Sequence, residues 1–207
     1  KGFVTETCDP DNKTQFITDI EVTPATEHDS KQQPHIQQRL IEHDFTPEQH
    51  YEDAGFVNGQ TILDSTQNGI KLEGPTAGRS QSFEAYEDQQ RPFDAGDFNT
   101  TLDAQTGQLT VNECPNHQPP MDQQRSEKTD KVMVHFDPDV CRACPDAQRC
   151  PVKIGKRVAT YHVDEAEYVG AVRHHHYMSN RAYRKACAIR AGVEATVSEL
   201  TRAHGLR

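Results

Sequence analysis

No apolar run in the 207 residues approaches the ~18 that a membrane-spanning helix needs, so no membrane partner is expected. Apolar side chains are scarce altogether: hydrophobic residues make up 33% and mean hydropathy is −0.87. A composition this lean leaves room for one medium domain, or one domain carrying a sizeable insertion, with long polar loops. There is no internal repeat. No HExxH pattern is present, which counts against a zinc hydrolase of that type. No signal peptide opens the chain, and it begins with Lys1 rather than Met, so the parent's true amino terminus is expected to lie upstream.

A net charge of −10 argues at first against nucleic acid, but the charge is unevenly spread. Residues 131–207 hold 13 Lys and Arg against 8 Asp and Glu, a balance of +5, whereas the first 130 residues stand at −15. The basic carboxyl end is where a DNA backbone can be accommodated, though a solvated helix face has the same composition. Four of the six cysteines (Cys114, Cys141, Cys144 and Cys150) lie in one region at short spacings. That pattern suggests a metal site in a reducing, cytoplasmic compartment rather than disulfides.

The stretch from His50 to Pro75 organises the chain. Polar His50-Tyr51-Glu52 leads to Asp53 and a turn at Ala54-Gly55. Val57, Ile62 and Leu63 then fall at helical spacing, and Gly69 ends the run before strand-like Ile70-Lys71-Leu72. Strand, turn, helix, strand is the unit of a parallel sheet. Asp53 sits at the carboxyl end of the first strand, where open α/β sheets place ligands; it equally suits a cap on the following helix.

Before this stretch, Gly2–Cys8 and Gln15–Val22 read as a hairpin turned at Asp9-Pro10-Asp11-Asn12, with Asp9 and Asp11 as turn residues. Asp19 can face either way. Ile36, Leu40 and Ile41 mark a helix. After it, residues 76–90 read as a loop or boundary, and residues 98–103 and 108–112 as a second hairpin. Asn116–Asp130 reads as a mobile linker, and Val132–Phe136 and Val158–Val163 as strands. From Asp164 the pattern is helical, with a break near Ser179-Asn180 that caps a final helix ending near Gly205.

Cys141-x2-Cys144-x5-Cys150, with Cys114 upstream and His117 as an alternate, has the spacing of a closed structural zinc site; reduced, half-buried thiols are the competing reading. The run His174-His175-His176 points three ways on a helix and reads as surface. In the last helix Ile189, Val193, Val197 and Leu200 form a core-facing stripe, with Glu194 at its edge and Arg190 one turn earlier as an ion-pair partner. Gly192 inside that helix costs roughly 1 kcal/mol relative to Ala, a cost that a close backbone or DNA approach would explain. Asp53 and Glu194, far apart in sequence, suit a two-metal phosphoryl-transfer site, which also needs a third carboxylate.

The segments TETCDPDN and FITDIEVTPAT within Thr5–Thr26, YEDAGFVNGQ at Tyr51–Gln60, CRACPDAQRC at Cys141–Cys150 and RAGVEATVSELTRAHGLR at Arg190–Arg207 together resemble a DDE-class insertion-sequence transposase. The resemblance runs along nearly the whole chain in the same order. It implies an α/β fold of the ribonuclease-H-like kind, a mixed sheet flanked by helices and interrupted by a cysteine-containing insertion. Residues 1–75 would begin the core, 76–163 form the insertion, and 164–207 return the helices carrying the last acidic residue.

Asp53 would be the second and Glu194 the third acidic residue of the triad, holding Mg2+ or Mn2+. The first Asp would lie on a strand before Lys1, so the chain is expected to be the central portion of a longer, DNA-cleaving protein and inactive alone. Related transposases carry Tyr-x2-Arg-x3-Glu-x6-Lys; here Arg190 and Glu194 keep their spacing, while Cys187 and Thr201 stand at the Tyr and Lys positions, with Arg202 adjacent. Arg190 and Arg202 would then meet DNA phosphates. DNA transposition at a bacterial nucleoid, by a homo-oligomer, is the implied activity. The alternatives are a non-catalytic, zinc-containing DNA-binding relic and an unrelated carboxylate metallohydrolase.

Overall fold

The computed structural model describes residues 1–9, 11–76, 86 and 91–205. The chain divides into two compact units, Lys1–Arg79 with His176–Arg207, and Ser80–His175. Both mix helices with small sheets, so the architecture is α/β.

In the first unit, β1 (Gly2–Glu6) pairs antiparallel with β2 (Ile17–Val22). The turn forms as its residues dictate: Asp9 accepts from the Asp11 amide through Oδ1 (2.9 Å) and from the Asn12 amide through its carbonyl (3.1 Å). Asp19 of β2 faces α1 (Asp29–Glu42), where Arg39 donates to both its carboxylate oxygens at 2.9 and 2.8 Å. Ile36 and Leu40 are buried as the spacing predicts, but Gln32, Gln33 and Gln37 are buried beside them. Gln33 and Gln37 each donate to Ser65 Oγ at 2.9 Å, and the Ser65 hydroxyl donates in turn to the Thr61 carbonyl. Part of this core is therefore a polar network, which is why the apolar pattern of α1 is thin.

The organising stretch folds as strand, helix, strand. β3 (Gln49–Tyr51) and β4 (Lys71–Glu73) run parallel, His50 opposite Leu72, joined through α2 (Gly59–Gln67). Asn58 caps α2 in a reciprocal box with Thr61. Gly69, at φ 72°, takes the left-handed turn that releases the chain into β4. Gly74 follows at φ 141°, where an added Cβ would lie 2.2 Å from the Glu52 carbonyl oxygen. The backbone after β4 thus touches the backbone after β3 at a point only glycine can occupy.

The single mixed sheet implied by the resemblance is not what the described residues form. Hairpin β1–β2 and the parallel pair β3–β4 are separate two-stranded sheets. Each thus keeps an edge without a strand partner, and β1 and β3 both border one cleft of about 700 Å³.

In the second unit, β5 (Asn99–Leu102) and β6 (Leu109–Glu113) form the expected hairpin. A four-stranded antiparallel sheet follows in the order β7-β8-β10-β9, from β7 (Asp122–Arg125), β8 (Val132–Phe136), β9 (Lys153–Ile154) and β10 (Ala159–Val163). The expected mobile linker Asn116–Asp130 therefore contains β7, whose polar Asp-Gln-Gln-Arg sequence hid an edge strand pairing with β8. Val132, Val134 and Phe136 alternate into a core shared with Leu109, Val111 and Tyr161, and Phe98 stacks on Tyr161 at 4.3 Å. Most of the loop expected over residues 76–90 lies outside the described residues.

After a short helix, α3 (Pro138–Ala143), α4 (Glu165–Ser179) carries the three histidines, and His174 is buried, not on the surface, because it falls on the face of Ala171 and Met178. Asn180 breaks the chain as predicted, its side chain accepting from the Tyr183 amide at 3.0 Å to cap α5 (Arg181–Cys187). A 3₁₀ turn, Ala188–Arg190, then precedes α6 (Ala191–His204). No residue of α6 is buried: Val193 and Leu200 are half covered and Val197 is exposed, so its stripe rests on a surface and does not enter the core.

Candidate active site

Asp53 stands two residues beyond β3 with its side chain 59% exposed. Its carbonyl accepts from the Phe56 and Val57 amides, holding the turn, while the cap of α2 belongs to Asn58. The carboxylate is thereby left out of local structure. It meets Arg190 instead, whose Nε donates to Asp53 Oδ1 at 2.5 Å across 137 residues.

The expected helix ion pair between Arg190 and Glu194 is replaced by this longer-range one. Arg190 caps the start of α6, so Glu194 follows it in the first turn of the helix, roughly 6 Å farther along the axis. Glu194 is exposed and makes no ion pair among the described residues. Asp53 and Arg190 both border the cleft beside β1, along with Glu6, Asp9, Ile189 and Val193. Glu6 ties α6 down through Thr196, whose hydroxyl donates to it at 2.6 Å. A Cβ on Gly192 would meet nothing nearer than Glu6 Oε1 at 3.5 Å, so no close protein approach explains that glycine.

Sequence reasoning passed over Glu52. It is 7% exposed, it lines the same cleft, and its Oε2 has no hydrogen-bond partner while Oε1 lies 3.5 Å from His50 Nε2. Burial, then the negative Asp53 beside it, raises the Glu52 carboxyl to about 8, and burial lowers His50 to about 4. Both are neutral near pH 7. The sequence signal for it is a carboxylate at the end of a strand, which Glu52 shares with Asp53.

Arg202 is exposed on the last turn of α6 and holds Ser198 Oγ through Nε at 3.1 Å. It is separated from Arg190 by some three turns of helix.

The cysteines gather elsewhere, in the second unit. Cys114 follows β6, Cys141 lies in the short helix α3 (Pro138–Ala143), Cys144 ends it, and Cys150 precedes β9. Cys114, Cys141 and Cys150 pack against the hydrophobic core. Burial, then the Cys150, Cys114 and Cys144 thiols around it, pushes Cys141 up to about 11. Asn116 Nδ2 lies 2.9 Å from Cys144 Sγ, and burial raises the Cys150 thiol as well. His117 turns away to Glu113 at 3.2 Å.

The one group within 4.8 Å ligand spacing among the described residues is Asp94, Asp97 and His175, not the thiols. Asp97 there is already held by Arg91 at both oxygens.

No curated protein and no solved structure matches the chain. Residues 113–207, the stretch that holds the four cysteines, Arg190 and Glu194, match the family model of the transposase DDE domain.

Proposed function

We propose that the chain is part of an insertion-sequence transposase that cleaves and joins DNA strands at transposon ends, with Asp53 and Glu194 as two of its metal-binding carboxylates. The observation that carries this is the Asp53–Arg190 contact: it ties the carboxyl end of β3 to the start of the helix bearing Glu194. Asp53 lies outside the matched residues 113–207, so its assignment rests on that contact and on the sequence resemblance. The ribonuclease-H-like arrangement, with 1–75 and 164–207 as core and 76–163 as insertion, belongs to the same reading.

The donor set fits Mg2+ or Mn2+: both groups are exposed carboxylates, hard oxygen ligands, and one is already paired with a cation. Bound there, such an ion would supply Lewis acidity for the attacking hydroxyl and the leaving oxygen. Asp53 and Glu194 would hold it, while Arg190 and Arg202 would orient the DNA backbone. Glu52, neutral behind Asp53, adds no charge to repel a phosphate. The partner is DNA, approached by a homo-oligomer of the intact parent.

The test is strand cleavage by the intact parent carrying Asp53→Asn or Glu194→Gln. Cleavage should be lost while DNA binding persists; cleavage retained in either variant refutes the assignment.

The four thiols favour a second reading, a zinc-containing DNA-binding relic that performs no chemistry. Three of them flank the hydrophobic core of the second unit, within one stretch that carries the Cys141-x2-Cys144 spacing. This reading predicts zinc in the purified chain and no cleavage by the intact parent with Mg2+ or Mn2+. Cleavage by the parent would eliminate it.

A further inference from the structure

The geometry points to Arg190 as an internal counter-cation that occupies Asp53 until a divalent ion displaces it, coupling metal entry to the arrival of a phosphate. The inference rests on the proposed metal role of Asp53. It adds a competitor for that site and a reason for the competitor to leave.

Three observations support it. First, Asp53 Oδ1 is engaged: Arg190 Nε lies 2.5 Å away, and a cation bound at that oxygen competes with the guanidinium for its negative charge. Second, the bond is cheap to break. The Arg190 and Asp53 side chains are 27% and 59% exposed, a setting in which ion pairs contribute only about 0.2–1 kcal/mol. Third, Arg190 can leave without unfolding anything. It stands where the 3₁₀ turn Ala188–Arg190 meets α6, and α6 is held separately by Thr196 on Glu6. The arginine side chain can therefore swing on its own torsions while Glu194, one turn on, stays in place.

A guanidinium released from a carboxylate is a bidentate phosphate ligand. Metal at Asp53 and phosphate at Arg190 should then bind cooperatively, because each draws away the group that competes with the other. By linkage the effect is reciprocal.

The experiment is Mn2+ titration of the full chain, with free Mn2+ read by electron paramagnetic resonance, in the presence and absence of a short DNA duplex. The proteins are the unaltered chain, Arg190→Ala, Arg190→Gln and Asp53→Asn, each checked by circular dichroism. Either Arg190 variant should bind Mn2+ roughly two- to fivefold tighter than the unaltered chain. The duplex should tighten Mn2+ binding to the unaltered chain and have a smaller effect in both variants. Equal or weaker Mn2+ binding by both Arg190 variants overturns the inference. Binding unchanged in Asp53→Asn instead refutes Asp53 as a metal ligand, and separates failure of the underlying reading from failure of the Arg190 exchange.

Discussion

The Tyr183 hydroxyl donates a 2.6 Å hydrogen bond to Glu73 Oε2, joining the middle of α5 to the end of β4 across 110 residues. Glu73 is only 3% exposed, and Lys71 supplies a second contact at 2.5 Å from its other oxygen. The same Tyr183 hydroxyl lies 3.3 Å from the Gly74 amide, which donates to it. One phenol therefore bonds both a buried carboxylate and the backbone beyond it. Tyr183→Phe should cost about 1–3 kcal/mol in urea unfolding, since it removes a partner of a buried charged group. Glu73→Gln in the same background should show strong coupling in a double-mutant cycle; additive effects would mean the bond contributes nothing.

Glu52 and His50 set a pH dependence from opposite sides. Glu52 titrates near 8 in the fold against an ordinary value of 4.5, so it keeps its proton where the unfolded chain has lost it, and stability falls as pH rises from about 4.5 to 8. His50 titrates near 4 against 6.5, so stability also falls as pH drops from about 6.5 to 4. Glu52→Gln keeps the neutral shape and removes the alkaline loss. In chelator, its urea midpoint should exceed that of the unaltered chain at pH 8 and approach it at pH 4.5. An identical difference at both values would show that Glu52 is ionised in the fold.

Two glycines should respond oppositely to alanine. Gly74→Ala forces a Cβ against the Glu52 carbonyl at a backbone angle that side chains rarely adopt, so it should cost about 2 kcal/mol or more, or prevent folding. Gly192→Ala adds a methyl in helix α6 with ordinary contact only, and should stabilise by roughly 0.5–1 kcal/mol. Thermal unfolding of the two variants reads both signs. A destabilising Gly192→Ala would point to a packing demand not visible around this residue.

If the thiols hold zinc, the metal content of the chain should be one ion per molecule and should vanish in Cys141→Ser. Chelation should lower the melting temperature of the unaltered chain and leave that variant unmoved. Equal melting temperatures with and without chelator would mean that the thiols contribute as reduced packing groups alone.

The sequence by itself determined the local elements. The Asp9–Asn12 turn, the βαβ unit with its turn at Gly69, the hairpin of β5 and β6 and the Asn180 cap all follow from short-range rules, because each is closed by hydrogen bonds or steric limits within a few residues. It also placed Glu194 and the four cysteines in a stretch that matches the family model of the transposase DDE domain.

Tertiary structure decided the partnerships. Arg190 bonds Asp53 rather than Glu194, buried glutamines on α1 converge on Ser65, and the polar strand β7 finds its place only because β8 offers an edge. Each choice depends on which groups from distant parts of the chain the fold brings within reach of one another. No periodicity carries that information, because a glutamine or a carboxylate has the same pattern whether solvent or a buried hydroxyl satisfies it.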